Sequence, residues 1–262
     1  MININKISCI ITVGKNFQYL KEAVYSLLNQ SYKNIEIIII NDGNYNEVKD
    51  IINSIDSKKI FLYNSFYIGR GKALNLGVKK ASGNLISILD SDDISHAQKL
   101  EMQLKYSDKY DLVCTGFSTN YKKFNNKIFK DTDIQTNIIS KRQFIFRNPV
   151  CHSSVLIKKN ILDKFLYDEN RANLYDYELW IRINYHNKTF LKIEEDLTFK
   201  RIHKNQQYEN KKRLFYIYST FLLKISAYKK FKQNYLDLII IIITTLYSII
   251  PQKIRSIIMG KI

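Results

Sequence analysis

In the stretch LISILDSDDIS, residues 85–95, an apolar run ends in Asp90, Asp92 and Asp93. Three carboxylates within four positions repel one another unless something positive lies among them. The plain use of such acids is a helix N-cap, here for ISHAQKLEMQL, because a carboxylate satisfies free backbone N–H groups and complements the helix dipole. Capping needs one carboxylate, not three. Asp42 stands at the end of a second apolar run, IIIINDGN, where Asp-Gly also suits a tight turn. The second half adds His152 in NPVCHSSVLIKK, Asp176 in YDYELWIRI and His203 in FKRIHKNQ. Singly, each has an ordinary explanation: a satisfied loop histidine or another helix cap.

The elements that must position these residues follow from hydrophobic periodicity. Ile7 to Val13 reads as a buried strand, and Leu20, Val24, Leu27 and Leu28 fall on one face of a following helix. IEIIII (35–40) predicts a second strand, Glu47 to Ile55 a helix, and KIFLY (59–63) a third strand. GRGKALNLGVKKA predicts a further helix with Ala73, Leu76 and Val78 apolar, and NLISIL a strand that ends at the aspartates. Strands apolar on both faces and separated by helices specify a parallel sheet covered by helices, an α/β fold. Ligands of such sheets bind beyond the carboxyl ends of the strands, the edge that carries Asp42 and the acid cluster.

Order along the chain adds what single residues do not. Over roughly residues 6 to 208 the sequence resembles the bacterial family-2 inverting glycosyltransferases, which have the GT-A nucleotide-diphospho-sugar transferase fold. YLKEAVYSLLNQSYKNIEIIIINDGN resembles that family's first helix, second strand and Asp-Gly-Ser-like turn. GRGKALNLGVKKASGNLISILDSDD resembles its Gly-x-x-x-Ala-x-Asn-x-Gly helix and Asp-x-Asp strand. NPVCHSSVLIKK, YDYELWIR and RIHKN match three further blocks in the right order. The fold implied is a Rossmann-like, mostly parallel sheet flanked by helices over residues 1–208. Residues 1–95 form its nucleotide-sugar-binding half and 96–208 its acceptor and catalytic half.

The resemblance assigns roles residue by residue. Asp92 matches the ligand of a divalent metal, Mn²⁺ or Mg²⁺, which takes hard oxygen donors and arrives with a nucleotide diphosphate. Asp90, with Ser91 between the two acids, matches the residue that reaches the ribose, and Asp42 the acceptor for a ring N–H of uracil or thymine. His203 resembles a histidine near metal and diphosphate, and Asp176 the base that deprotonates an acceptor hydroxyl. The expected activity is inverting transfer of a sugar, UDP-linked by preference, to a saccharide or a polyprenyl-diphosphate-linked acceptor in lipopolysaccharide or capsule synthesis. Departures from the pattern bear on the donor. Gly14 replaces a tyrosine that packs on the base, leaving Phe17 or Tyr19 to stack. Leu74 replaces an arginine, leaving Arg70 and Lys72 for the diphosphate, and Tyr175 replaces the glutamate before the base. The alternatives are a sugar-nucleotide nucleotidyltransferase, against which the first strand is followed by no Gly-rich, Arg-containing loop, and a degenerate transferase acting as a membrane-bound scaffold.

Charge singles out the C-terminus. The 262 residues carry a net charge of +17, and residues 211–262 hold ten basic side chains against one acid, Asp237. The apolar run LDLIIIIITTLYSII, about 15 residues long, is shorter than the roughly 20 needed to span a bilayer. With basic clusters on either side, residues 209–262 read as a helical appendage lying on an anionic membrane surface. A helix pair closing the domain, or a homodimer interface, is the other use of such a tail. No nucleic-acid-binding motif occurs. The odd, scattered Cys9, Cys114 and Cys151 fit core positions in a reducing compartment. Only seven apolar residues follow Lys6, with no small-residue cleavage site after them. A cytoplasmic protein, peripheral on the inner face of the membrane, is expected.

Overall fold

A computed structural model describes residues 5–125, 128–130, 134–202 and 213–250. Strands β1 (Ile7–Val13), β2 (Ile35–Asp42), β3 (Ile60–Ser65) and β4 (Leu85–Ile88) alternate with helices α1 (Leu20–Leu28), α2 (Asn46–Asn53) and α3 (Arg70–Lys80). They pair in parallel in the order β3-β2-β1-β4. The near-continuous apolar runs have a physical cause in their two-sided burial. Ile7, Cys9, Ile11, Ile37 and Ile39 pack with Leu20, Val24 and Leu27 of α1, whereas Ile10, Ile38, Ile40 and Ile86 pack with Ala73, Leu74 and Val78 of α3. Successive strand residues thus serve opposite layers.

Glu36 interrupts the isoleucines of β2. Its carboxylate accepts from Ser8 Oγ at 2.5 Å and from Ser82 N–H at 2.7 Å, and it pairs with Lys6 Nζ at 2.7 Å. This acid joins β1, β2 and the α3–β4 turn at the sheet's amino edge. Although burial opposes ionisation, those bonds prevail and depress its pKa from 4.5 to about 2.

The second half extends the same sheet with strands of both directions. After β5 (Ile94–Ser95), α4 (Lys99–Ser107), β6 (Leu112–Ser118), α5 (Tyr121–Asn125), β7 (Thr136–Ile138) and α6 (Gln143–Phe146) come β8 (Leu156–Lys158), α7 (Lys159–Lys164), α8 (Tyr175–Tyr185) and β9 (Phe190–Phe199). β8 lies antiparallel between β4 and β6, while β9 runs parallel to β6 and antiparallel to β5 and β7. The β6–β9 register shifts at Gly116, where a Cβ would lie 2.5 Å from the Glu194 carbonyl oxygen. Glycine permits that close backbone approach.

One expectation fails at the acid cluster. The residues after it form the short strand β5, and α4 begins only at Lys99, with Gln98 as an N-cap that makes no side-chain cap bond. The aspartates therefore do not cap the following helix. Pairing of Ile94 and Ser95 with Phe199 and Thr198 of β9 prevails over the local preference for a helix.

The C-terminal helices α9 (Arg213–Phe231) and α10 (Tyr235–Ile249) form an antiparallel pair, with Arg213 donating to the carbonyls of Ser248 and Ile250. Leu223, Ala227, Phe231 and Ile241 join the core cluster that contains Trp180. Asp237 is fully buried and bonds Arg142, the residue just before α6, at 2.8 Å. The acid that interrupts the apolar run thus fastens α10 to the sheet domain. Among the described residues, no helix is long and apolar enough to cross a membrane.

Candidate functional site

Asp42 ends β2, and its carboxylate closes over the β3–α3 connection. Oδ1 accepts from Ile68 N–H at 2.8 Å and Ser65 Oγ at 3.1 Å, and Oδ2 from Gly69 N–H at 3.1 Å. These bonds hold Tyr67 at a left-handed φ of 53°, a conformation that costs an L residue about 1–2 kcal/mol. Tyr67 meets Tyr45 edge to face at 6.0 Å, and Tyr45 meets Phe17 at 5.7 Å, so three rings lie beside Asp42. Tyr19 is engaged elsewhere, beneath the Arg201 guanidinium at 3.9 Å.

The positive group among the aspartates is Arg70, the first residue of α3. It donates to Asp90 Oδ1 at 2.5 Å. His152, in the 3₁₀ turn His152–Ser154, places Nδ1 3.3 Å from the same oxygen and 3.4 Å from Arg70 Nη2, and Nε2 3.0 Å from the Tyr167 hydroxyl. Burial works against ionisation of Asp90, but Arg70 and His152 outweigh it and hold the carboxyl well below the usual carboxylate range. Asp93 turns inward, accepting from Ser153 Oγ at 2.5 Å and from Arg201 N–H at 3.1 Å. Its burial, reinforced by the charges of Asp90 and Asp92, raises its pKa to about 7. The cluster thus limits its repulsion by pairing one acid and keeping another partly protonated at neutral pH.

Ligand oxygens of Asp90, Asp92 and Asp93 lie within 4.8 Å of one another. An all-carboxylate donor set suits a hard divalent cation such as Mn²⁺ or Mg²⁺. Arg201 ties the segment after β9 to this turn, donating from Nε to the Asp92 carbonyl at 3.1 Å and from the guanidinium to Glu22 at 2.6 Å. His203 lies two positions on, outside the described residues.

Asp176, the second residue of α8, lies close enough to Arg70 for its charge to act on the guanidinium. Leu174 before it has φ 53°, and Asn148 Nδ2 donates to Asp176 Oδ2 at 2.7 Å. Trp180 and Ile183 are fully buried, so α8 is anchored behind the acid. Arg70 stays charged through the pull of Asp90 first, with Asp176 and Asp92 adding to it. Gly71 lets α3 come close: a Cβ there would lie 3.0 Å from the Asp168 carbonyl and 3.3 Å from the Tyr175 ring.

The structure thus gathers Asp90, Asp92 and Asp176 around Arg70, with Asp42 bonded to the residues just before it. Ser91 Oγ instead faces the β1–α1 loop, donating to the Asn16 carbonyl at 3.3 Å, and Lys72 is exposed on α3. Leu74 is buried in the core, so that helix position has no room for an exposed cation and Arg70 supplies it. Sequence reasoning assigned no role to Tyr167, Asn148 or Arg201, and left His152 as a satisfied loop histidine. His152 and Asn148 lie in NPVCHSSVLIKK and Arg201 in RIHKN, but nothing local tied any of them to an acid. A shallow cleft of about 390 Å³ near Asn5, Asn84 and Lys158 lies at the amino ends of β1 and β4, away from these acids.

The family model for glycosyl transferase family 2 matches residues 8–177, from β1 to the start of α8, and takes in Asp42, the aspartate cluster and Asp176. The chain belongs to that family. An uncharacterized glycosyltransferase of Methanocaldococcus jannaschii is 32% identical over 226 residues, 81% of this chain and 76% of its own length. One from Rickettsia prowazekii is 33% identical over 186 residues, 67% of this chain and 58% of its own. Against a Rickettsia conorii glycosyltransferase, 32% identical, the chain spans 31% of the relative's length. This family-2 glycosyltransferase shares its fold with S. aureus TarS 1–349, solved with UDP-GlcNAc, at a TM-score of 0.66 and 15% identity over 85% of this chain and 66% of that one. The mannosyltransferase PcManGT of Pyrobaculum calidifontis, solved with GDP-Man and Mn²⁺, gives 0.63 and 13% over 85% and 64%. The fold is GT-A-like, a mixed α/β sheet flanked by helices.

Proposed function

We propose that this glycosyltransferase moves a sugar from a nucleotide-diphospho-sugar, UDP-linked by preference, to a saccharide or polyprenyl-diphosphate-linked acceptor, with inversion at the anomeric carbon. The observation that carries it is Arg70, bonded to Asp90 and within electrostatic reach of Asp176. A cation there is placed to receive a diphosphate between a ribose-binding acid and a base, with Lys72 as a second cation on the same helix. Of about four lone-pair positions on the Asp42 carboxylate, three are taken; the remaining one on Oδ2 suits a single ring N–H, as uracil and thymine present. Asp92, with His203, is assigned to Mn²⁺ or Mg²⁺, which when bound neutralises charge on the departing diphosphate. Asp176 takes the proton of the acceptor hydroxyl, with Asn148 fixing its Oδ2. Base and diphosphate on opposite faces of the sugar give inversion, so an α-linked donor yields a β-linkage.

Screening UDP-, dTDP- and GDP-sugars for metal-dependent thermal stabilisation tests the donor, because a bound ligand raises apparent stability by mass action. Both UDP and GDP donors belong in the panel, since TarS and the mannosyltransferase were solved with one each. A GDP-only response overturns the uridine preference, and no response to any donor with either metal overturns the transferase assignment.

The α9–α10 pair is proposed to rest on an anionic leaflet on the cytoplasmic side, where lipid-linked acceptors for surface polysaccharide are built. Leu236, Ile240, Ile243 and Leu246 expose an apolar face, and Lys229, Lys230 and Lys232 stand at the turn between the helices. Because α9 contributes to the core, point changes test this more cleanly than truncation. An I243E/L246E protein should lose co-sedimentation with phosphatidylglycerol vesicles while keeping its thermal midpoint. Undiminished co-sedimentation, or a wild-type dimer in solution that the double change dissociates, would assign the face to another use.

A further inference from the structure

Asp90 presents an asymmetry that the donor site does not by itself explain. Both of its side-chain contacts, from Arg70 and from His152, fall on Oδ1. In a neutral imidazole one ring nitrogen donates and the other accepts. Nδ1 lies 3.3 Å from Asp90 Oδ1 and 3.4 Å from Arg70 Nη2; because that guanidinium nitrogen already donates to Asp90 at 2.5 Å, a proton on Nδ1 lets the imidazole serve the nearer carboxylate, whereas a bare Nδ1 would face it as a second acceptor. Nε2 is then the acceptor, and the group 3.0 Å from it is the Tyr167 hydroxyl, an available donor. Tyr167 is itself fixed: its N–H donates to Asn75 Oδ1 at 2.9 Å and its carbonyl accepts from Asn75 Nδ2 at 3.0 Å. Asn75 lies on α3, five residues after Arg70, so both partners of Asp90 Oδ1 are referred to one helix.

We infer that Tyr167 is a positioning residue for donor binding: it locks His152 with its proton on Nδ1, and His152 with Arg70 then holds Oδ1 so that Oδ2 faces the nucleotide. The ring packing supports a lock, because His152 meets Tyr167 edge to face at 5.8 Å and lies 6.4 Å from Trp180, with His152 and Tyr167 buried. This inference rests on Asp90 as a donor-binding acid, while the histidine tautomer can be measured without any donor.

The first test is the ¹⁵N spectrum of the histidine side chains in the unliganded full chain, in which only four histidines occur. His152, assigned by its absence in H152F, should carry its proton on Nδ1, and Y167F should lose that single tautomer. A wild-type His152 protonated on Nε2 overturns the proposal. The second test titrates UDP and GDP, each with Mn²⁺, into wild type, Y167F, H152F and the double variant. Losing one buried hydrogen bond of about 1 kcal/mol should weaken nucleotide binding roughly fivefold in Y167F. Y167F should add nothing in the H152F background. Donor KM should rise with kcat unchanged at saturation, whereas a merely structural tyrosine would lower the thermal midpoint and leave affinity alone. An equal cost of Y167F with and without His152 also overturns the proposal. D90N separates the two levels: if it binds nucleotide like wild type, the donor role of Asp90 fails; if it does not bind and Y167F is normal, only the tyrosine's role fails.

Discussion

Replacing Glu36 by Gln removes one charge from a buried junction and leaves its shape nearly unchanged. The carboxylate accepts from Ser8, Ser82 and Lys6, and an amide would turn an N–H₂ toward donors. A folded pKa near 2 against an ordinary 4.5 corresponds to about 3 kcal/mol, at about 1.4 kcal/mol per pH unit. Lys6 is 40% exposed, so water screens part of the attraction, and a loss of about 2 kcal/mol is expected at pH 7. Because the folded pKa is depressed, this stabilisation is fully present above about pH 4.5 and fades as pH falls toward 2. Urea denaturation of wild type and E36Q at pH 7, 5, 4 and 3 should show two curves that converge on acidification. A gap that stays constant across that range would refute the electrostatic account and leave only packing.

Other outcomes follow from the same geometry. D176N should bind nucleotide normally yet lose about 10²–10⁴ in kcat, the usual scale for general-base loss; near-normal transfer removes Asp176 from the reaction. D92N should abolish the Mn²⁺ dependence of turnover while shifting the metal-free thermal midpoint little, and an unfolded D92N protein would mean that the acid is structural. G77A should cost about 1–3 kcal/mol, because its Cβ would come within 2.6 Å of the fully buried Ile10. Calorimetry would register that cost as a lower midpoint with donor affinity preserved.

Much of the first half, β1 to β4, is legible in the chain because its determinants are local. Isoleucine runs between helical periodicities specify strands covered on both faces, and a strand's carboxyl end fixes where Asp42 and Asp90 must stand. The same local logic misjudged residues 94–98, since pairing of Ile94 and Ser95 with β9, about a hundred residues away, made them a strand and left a turn before α4. The partner of Asp90 was equally hidden: Arg70 was assigned to a diphosphate, and its bond to Asp90 exists only because α3 packs across β1 and β2. His152, Tyr167 and Asn75 carry no mark of a shared purpose in the sequence; the turn before β8, the loop before α8 and α3 bring them together. Asp237 read as a flaw in an apolar run until α6 placed Arg142 beside it. Residue type and order determined the family, the sheet and the acids. Which acid is paired, which has its pKa raised and which carboxylate oxygen its partners occupy were decided by the tertiary structure, because charge, burial and hydrogen-bond direction depend on neighbours distant in sequence.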